Sequence, residues 1–316
     1  MDKKEITIFD GHCDTILRCY EQGGGIARSE GHLDLERMEA YGHYAQFFAI
    51  FGDVTTRPGT PLHTVFQEEY DLFQRELEKN AGRVTLCRTG GEVEEAWRGG
   101  RSAALLSVEG AELLDCSTEL LEKAHGMGVR AVNLTWNHAN PLSGSNADQP
   151  ERGLTAQGKA FVDKMEALGM LVDVSHLSDP GFWDVAERMN GPFFASHSNS
   201  RALCPDARNL TDEMFTAIIE HGGVAGLNVY AGFLGDDPDL DTVVAHLEHF
   251  LDLGGEKNVA LGGDWDGCTH LPHGLPGIQG LDRLYERLLQ RNYSTALLNA
   301  VFNQNLMRVV NEVCTM

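Results

Sequence analysis

Short apolar runs, each ending in a polar cluster, recur along the chain, and longer stretches with apolar residues at helical spacing separate them. The runs are ITIFDGH (6–12), AQFFAIFG (45–52), SAALLSVEG (102–110), VRAVNLTW (129–136), MLVDVSH (170–176), PFFASHS (192–198), GVAGLNVY (223–230) and VALGGDWDG (259–267). Between them lie amphipathic segments such as PLHTVFQEEYDLFQRELEKN, TAQGKAFVDKMEALG, TDEMFTAIIEHG and TVVAHLEHFLDLGG, several of which end in glycine, the usual helix stop. Strands that alternate with helices imply a parallel sheet with right-handed crossovers. Eight such units in a chain of this length predict an α/β fold of the (β/α)8, or TIM barrel, type. An open doubly wound sheet is the alternative, but no strand is followed by GxGxxG or by a phosphate-binding loop. With no low-complexity segment, linker or convincing repeat, residues 1–316 read as a single barrel domain. The apolar face of LLNAVFNQNLMRVV, near the C-terminus, is expected to pack on that barrel.

Composition narrows the partners. The 316 residues are 42% hydrophobic and 23% charged, an ordinary globular balance. A formal net charge of −22 argues against nucleic acid or an anionic membrane surface, which would both repel the chain. No hydrophobic run approaches a membrane span, and MDKKEITIFD lacks the features of a signal peptide. Seven cysteines form no CxxC pair, which fits reduced thiols and a cytoplasmic location. Cys13 reads as a packing residue.

The candidate chemistry sits at the ends of the runs, where a barrel of this kind places its catalytic groups. The first run supplies His12 and Asp14, which face one way if the strand's alternation continues. The third supplies Glu109, the fifth His176, the sixth His197 and the eighth Asp264. Six nitrogen and oxygen donors exceed what one tetrahedral ion needs and suit a pair of divalent ions sharing a carboxylate. Histidines and carboxylates without thiolates favour zinc or a neighbouring transition metal. Asp266 is expected to stabilise the loop after the last strand. Asp173 is expected to point away from His176, while His270 and His273 are candidates for the mouth of the pocket.

Taken in order, HCD, SVEG, DVSH, ASHSNSR, ARNLTD and GGDWDG resemble the motifs of the membrane (renal-type) dipeptidases and their bacterial relatives, peptidase family M19 of the amidohydrolase superfamily. The likeness runs from Phe9 to about Gly267. It implies a dipeptidase with two zinc ions, in which a metal-bridging hydroxide attacks the peptide carbonyl. By the same resemblance His12 and Asp14 hold one zinc, His176 and His197 hold the other, and Glu109 bridges them. Asp264 matches the family's catalytic aspartate, Arg208 the arginine that binds the substrate's terminal carboxylate, and Tyr230 a substrate-side tyrosine. A homodimer is also implied. One position departs: LTWNHAN carries Trp136 where renal-type relatives have a substrate-facing histidine. His138, two residues on, reaches the same space if the strand continues and is a loop histidine if it does not. It is carried as a candidate substrate contact.

Two rivals remain. An amidohydrolase of the same fold acting on another small amide, a lactone or a phosphoester would keep the metals, and a neutral ester would leave Arg208 without a carboxylate to bind. A barrel serving only as a scaffold would be expected to have lost a ligand or Asp264, and none is missing.

Overall fold

Each of the eight apolar runs contributes one strand to a parallel sheet that closes on itself. The computed structural model describes residues 2–55 and 57–315. The strands are β1 (Thr7–Asp10), β2 (His43–Phe51), β3 (Val84–Leu86), β4 (Ser102–Glu109), β5 (Val129–Asn133), β6 (Leu171–Asp173), β7 (Phe194–Ala195), β8 (Val224–Leu227) and β9 (Val259–Leu261). The ring runs β1, β2, β4, β5, β6, β7, β8, β9 and back to β1, with every pair parallel. Its longest ladder joins β2 to β4, from Ala45 opposite Ala103 to Phe51 opposite Glu109. β3 lies outside the ring, against the start of β4, and the apolar pattern did not predict it. The four amphipathic segments form the helices Leu62–Lys79, Ala156–Leu168, Asp212–Glu220 and Leu240–Asp252. This is the (β/α)8 barrel.

Alternate side chains of the ring strands point inward. Phe9, Phe47, Leu105, Ala131, Leu171, Phe194, Val224 and Ala260, one from each ring strand, form a buried cluster with Leu306, Val309 and Val310. The last three belong to the helix Asn305–Val313. Asn305 at its start donates from Nδ2 to the carbonyls of Glu256 and Val259, so the helix closes the amino-terminal end of the barrel.

Toward the other end the interior becomes small and polar. A β-carbon at Gly11, Gly226 or Gly262 would stand 2.8, 2.1 or 1.8 Å from the carbonyl oxygen of Ser196. Gly11 follows β1, and β9 and β8 lie between it and β7 around the ring. The chain leaving β7 therefore crosses the interior toward β1, which needs three residues without side chains.

The predicted strands are too long at their carboxyl ends. Asp173 Oδ1 accepts from the backbone N–H groups of Ser175 (3.0 Å) and Ser196 (3.0 Å), and Ser175 Oγ accepts from that of His197 (3.2 Å). Side-chain oxygens thus take over donors that a ladder would otherwise use, and the backbone leaves the sheet just before two of the candidate histidines.

Gly262→Ala is expected to destabilise the fold by about 1–3 kcal/mol through overpacking against the Ser196 carbonyl. Thermal unfolding reads this as a lowered midpoint, and an unchanged midpoint would show that the close approach relaxes without cost.

Candidate active site

β1 ends at Asp10, and the alternation of sides shifts by one before His12: Phe9 faces the interior, but Cys13, which bridges Trp265 in parallel fashion, faces the outer layer. Asp14 donates its N–H to the Trp265 carbonyl (2.7 Å), and Ala49 donates to that of Cys13 (2.9 Å). His12 and Asp14 consequently face the same space, while Cys13 is buried in the apolar layer outside the barrel. Glu109 comes from the end of β4. His176 and His197 come from the turns after β6 and β7. Asp264 follows β9. His176 and Asp264 both have left-handed backbones, at φ 70° and 54°. Histidine and aspartate enter that region more readily than most residues do.

Two triangles of donor atoms share Glu109. In the first, His12 Nε2 lies 3.4 Å from Asp14 Oδ2 and 3.4 Å from Glu109 Oε2. In the second, Glu109 Oε1 lies 3.0 Å from His176 Nε2 and 3.6 Å from His197 Nε2, and the two nitrogens are 3.2 Å apart. Donors bound at roughly 2.0–2.1 Å in tetrahedral array stand about 3.3 Å from one another, so each triangle has the span of one ion's ligands. Asp264 joins His12 and His197 in a third, overlapping group.

Neighbouring polar groups fix which nitrogen is presented. His176 Nδ1 lies 2.9 Å from Asn137 Oδ1, which accepts its proton and leaves the Nε2 lone pair bare. His197 Nδ1 meets the Ser196 hydroxyl at 2.6 Å, which directs Nε2 into the site in the same way. His12 Nε2 and Asp14 Oδ1 are buried without a hydrogen bond. A β-carbon on Gly267 would fall 2.1 Å from Asp14 Oδ2 and 2.3 Å from Asp264 Oδ1, so that glycine leaves the space beside both carboxylates clear. Unpaired buried donor atoms, bare imidazole nitrogens and converging carboxylates together fit divalent cations.

The electrostatics agree. Burial pushes His176 and His197 well below the ordinary histidine range, with the positive charges of Arg208 and His12 adding to it. Neutral imidazole is the metal-binding form. Burial acts the same way on His12, but the Glu109 and Asp14 carboxylates overcome it and hold the group well above its usual value. Burial raises Glu109 to about 7 and also raises Asp264.

Arg208 is buried beside this cluster. Its Nη1 donates to Ser198 Oγ at 2.5 Å, while Nε and Nη2 have no partner in the protein. These two form one edge of the guanidinium, the fork that matches a carboxylate. Arg201 braces the loop, donating to the carbonyls of Ala207 and Asn209 on either side of Arg208 and pairing with Asp179 at 2.7 and 2.8 Å.

A cavity of about 290 Å³ opens on the cluster, with Glu109, Trp136, His176, Tyr230, Phe233 and Asp264 in its walls. Tyr230 is therefore brought to the site. His138 is not among the lining residues: it is half-exposed, 3.5 Å from Asp53, in an adjoining cavity of about 250 Å³ whose wall Trp136 shares. His270 and His273 do not line the first cavity, and His273 pairs with Asp237 at the surface. Asp266 does hold its loop, accepting from Thr15 Oγ1 (2.7 Å) and His32 N (2.7 Å). Sequence reasoning missed Asn137 and also Asn228, whose Nδ2 donates to Asp264 Oδ2 at 3.1 Å. The available signal for Asn228 was its place two residues before Tyr230, at the end of a strand.

Residues 3–316 match the family model of the membrane dipeptidases, peptidase family M19. A Klebsiella pneumoniae protein known as an uncharacterized protein in the pqqA 5′ region is 35% identical over 81% of this chain and 98% of its own. Dipeptidase aclJ of Aspergillus oryzae is 29% identical over 90% of this chain and 70% of its own. The crystal structure of a metallopeptidase from Rhodobacter sphaeroides, liganded with a phosphinate mimic of the dipeptide L-Ala-D-Ala, superposes with a TM-score of 0.88. It is 27% identical to this chain and covers 98% of it and 99% of its own length. The chain belongs to the membrane dipeptidase family, peptidase family M19, and is by that membership a metallo-dipeptidase.

Proposed function

We propose that the chain hydrolyses dipeptides with two zinc ions, one held by His12 and Asp14, the other by His176 and His197, with Glu109 shared between them. The observation that carries this reading is the pair of donor triangles meeting at the two oxygens of Glu109. Divalent ions in such a site lower the pKa of water and polarise a carbonyl oxygen. Asp264, in the wall of the same cavity, takes the proton from the attacking water and returns it to the leaving amine. The free Nε and Nη2 edge of Arg208 grips the carboxylate of a substrate that ends just past the scissile bond. Tyr230, in the wall of the same cavity after β8, contacts the substrate, and His138 is kept as a contact for side chains entering the adjoining cavity.

Zinc, a homodimer, a cytoplasmic location and one catalytic domain over residues 1–316 are carried forward on sequence grounds. Among the described residues all seven cysteines are free thiols, and no helix is long and apolar enough to cross a membrane.

The test is hydrolysis of a panel of L,L and L,D dipeptides by the protein as isolated, after chelation, and after zinc is restored. Activity is expected to vanish with the metal and return with it. Metal binding without dipeptide turnover would move the assignment to an amidohydrolase acting on another small amide, a lactone or a phosphoester. Arg208→Met is expected to lower kcat/KM for dipeptides by about a hundredfold, the scale of a lost charge-assisted pair at a buried site. Turnover of a neutral ester should be spared, and dipeptide hydrolysis that survives the change would rule out the carboxylate-binding role. Asp264→Asn should cut kcat by roughly 10²–10⁴-fold with the bound metal retained. Activity close to that of the unaltered protein would remove Asp264 from proton transfer.

A further inference from the structure

Two buried aspartates bond to the backbone of the ligand segments without belonging to either donor triangle. Asp10 is fully buried, and all its partners are N–H donors. Oδ1 accepts from His12 N (3.0 Å) and Gln46 Nε2 (3.0 Å), Oδ2 accepts from Trp265 Nε1 (3.0 Å), and Gly263 N lies 3.2 and 3.1 Å from the two oxygens. One carboxylate thus ties the backbone of His12 to the chain beside Asp264. Asp173 has the corresponding place on the other side of the barrel. Its Oδ1 accepts from Ser175 N and Ser196 N, the residues just before His176 and His197, and the Ser196 side chain also bonds to it. The Ser196 hydroxyl in turn meets His197 Nδ1, so the carboxylate, the hydroxyl and the imidazole form a line.

We propose that Asp10 and Asp173 are positioning residues, each setting one half of the metal centre: Asp10 the His12 and Asp14 half, Asp173 the His176 and His197 half. The inference rests on the two-ion reading of the centre. Each aspartate acts on its ligands through the backbone N–H groups it collects, which lie past the strand ends and bond to its carboxylate in place of a ladder carbonyl. The residue type follows from the donors: a group that only accepts satisfies several converging N–H groups at once. The two sites differ in what they tolerate. At Asp10 donors approach both oxygens, so an asparagine in either orientation sets its own NH2 against an N–H. At Asp173 both backbone donors use Oδ1, which an asparagine keeps, while its NH2 cannot accept from the Ser196 hydroxyl, so only the link through that hydroxyl is lost.

The experiment is zinc binding to metal-stripped protein, by equilibrium dialysis at buffered free zinc, with circular dichroism to check the fold. The unaltered protein is expected to hold two ions per chain. Asp10→Asn should weaken one ion by about 10–100-fold, the scale seen when groups that orient metal ligands are removed. Added to His12→Ala it should cost nothing further, and added to His176→Ala it should weaken the ion that remains. Asp173→Ala should show the reverse pairing, and Asp173→Asn, which keeps the two backbone bonds, should lose clearly less affinity than Asp173→Ala. Unaltered protein that fails to bind two ions would overturn the two-ion reading itself. Two ions in that protein, and unchanged affinities in Asp10→Asn and Asp173→Ala, would overturn the positioning roles alone. Loss of both ions together, or of the fold, in the aspartate variants would also overturn them, by showing general support of the barrel. Equal losses in Asp173→Asn and Asp173→Ala would overturn the backbone route at Asp173, by placing the effect in its charge or in the Ser196 hydroxyl.

Discussion

The carboxylates of Asp14, Glu109 and Asp264 are brought together at the mouth of the barrel, mostly out of water, and the rest of the site is organised around that repulsion. Like charges at this range cannot all be ionised in a dry setting unless positive charge compensates them. Within the protein the compensation comes from His12, which the carboxylates hold well above its usual pKa against its own burial, and from a Glu109 pushed up to about 7. These protons occupy the centre where cations would otherwise sit. Metal uptake must displace them, so binding is coupled to proton release. The bare Nε2 atoms of His176 and His197 are ready without any such exchange. The two halves of the centre are therefore chemically unequal before a metal arrives: His12 is held toward its charged form, His176 and His197 toward their neutral form.

The barrel holds this arrangement by spending regular structure. β2 and β4 form a long, regular ladder and deliver Glu109 at a fixed height. On the far side the strands shrink to two to four residues, and the chain reaches the centre through turns held by side-chain oxygens. His176 and Asp264 stand in left-handed conformations, which cost roughly 1–2 kcal/mol per residue. Asn137 then holds His176 by Nδ1, and Asn228 holds Asp264 by Oδ2. Rigid sheet on one side and tailored turns on the other bring five separate segments of chain within ligand distance.

Much of this was legible in the sequence because a parallel barrel writes itself as repeated apolar runs and puts its chemistry where each run turns polar. All eight ring strands, and all six of the clustered donors, lie in or just after those runs. β3 escaped because three residues outside the ring, in RVTLC, leave no periodic mark. Strand ends were overestimated because serine and aspartate side chains replace ladder partners there, and composition does not distinguish the two uses. Asp173 was set aside on strand alternation, but it shares the interior side with Leu171, and the break at His176 brings that imidazole to the same side. That rule says nothing of a backbone that turns left-handed three residues later. His138 depended on the fourth run staying extended, but β5 stops at Asn133 and the segment beyond turns His138 toward Asp53.

GGDWDG, residues 262–267, shows how closely a short motif can be bound to packing. Gly262 leaves room for the Ser196 carbonyl, and a β-carbon at Gly263 would overlap the indole of Trp265 at 2.1 Å. Asp264 faces the donors from a left-handed backbone. Trp265, fully buried, turns the other way, donates to Asp10 and accepts from the N–H of Asp14. Asp266, also left-handed, reaches Thr15 and His32 and ties this loop to the first helix and the segment after it. Gly267 leaves the space beside Asp14 and Asp264 open. The first and last segments of the barrel thus lock to each other through this one loop. Inserting or deleting a residue here would move Asp264, the Asp10 anchor and the Asp14 contact together. The motif's fixed spacing follows from that shared dependence as much as from the chemistry of the aspartate at its centre.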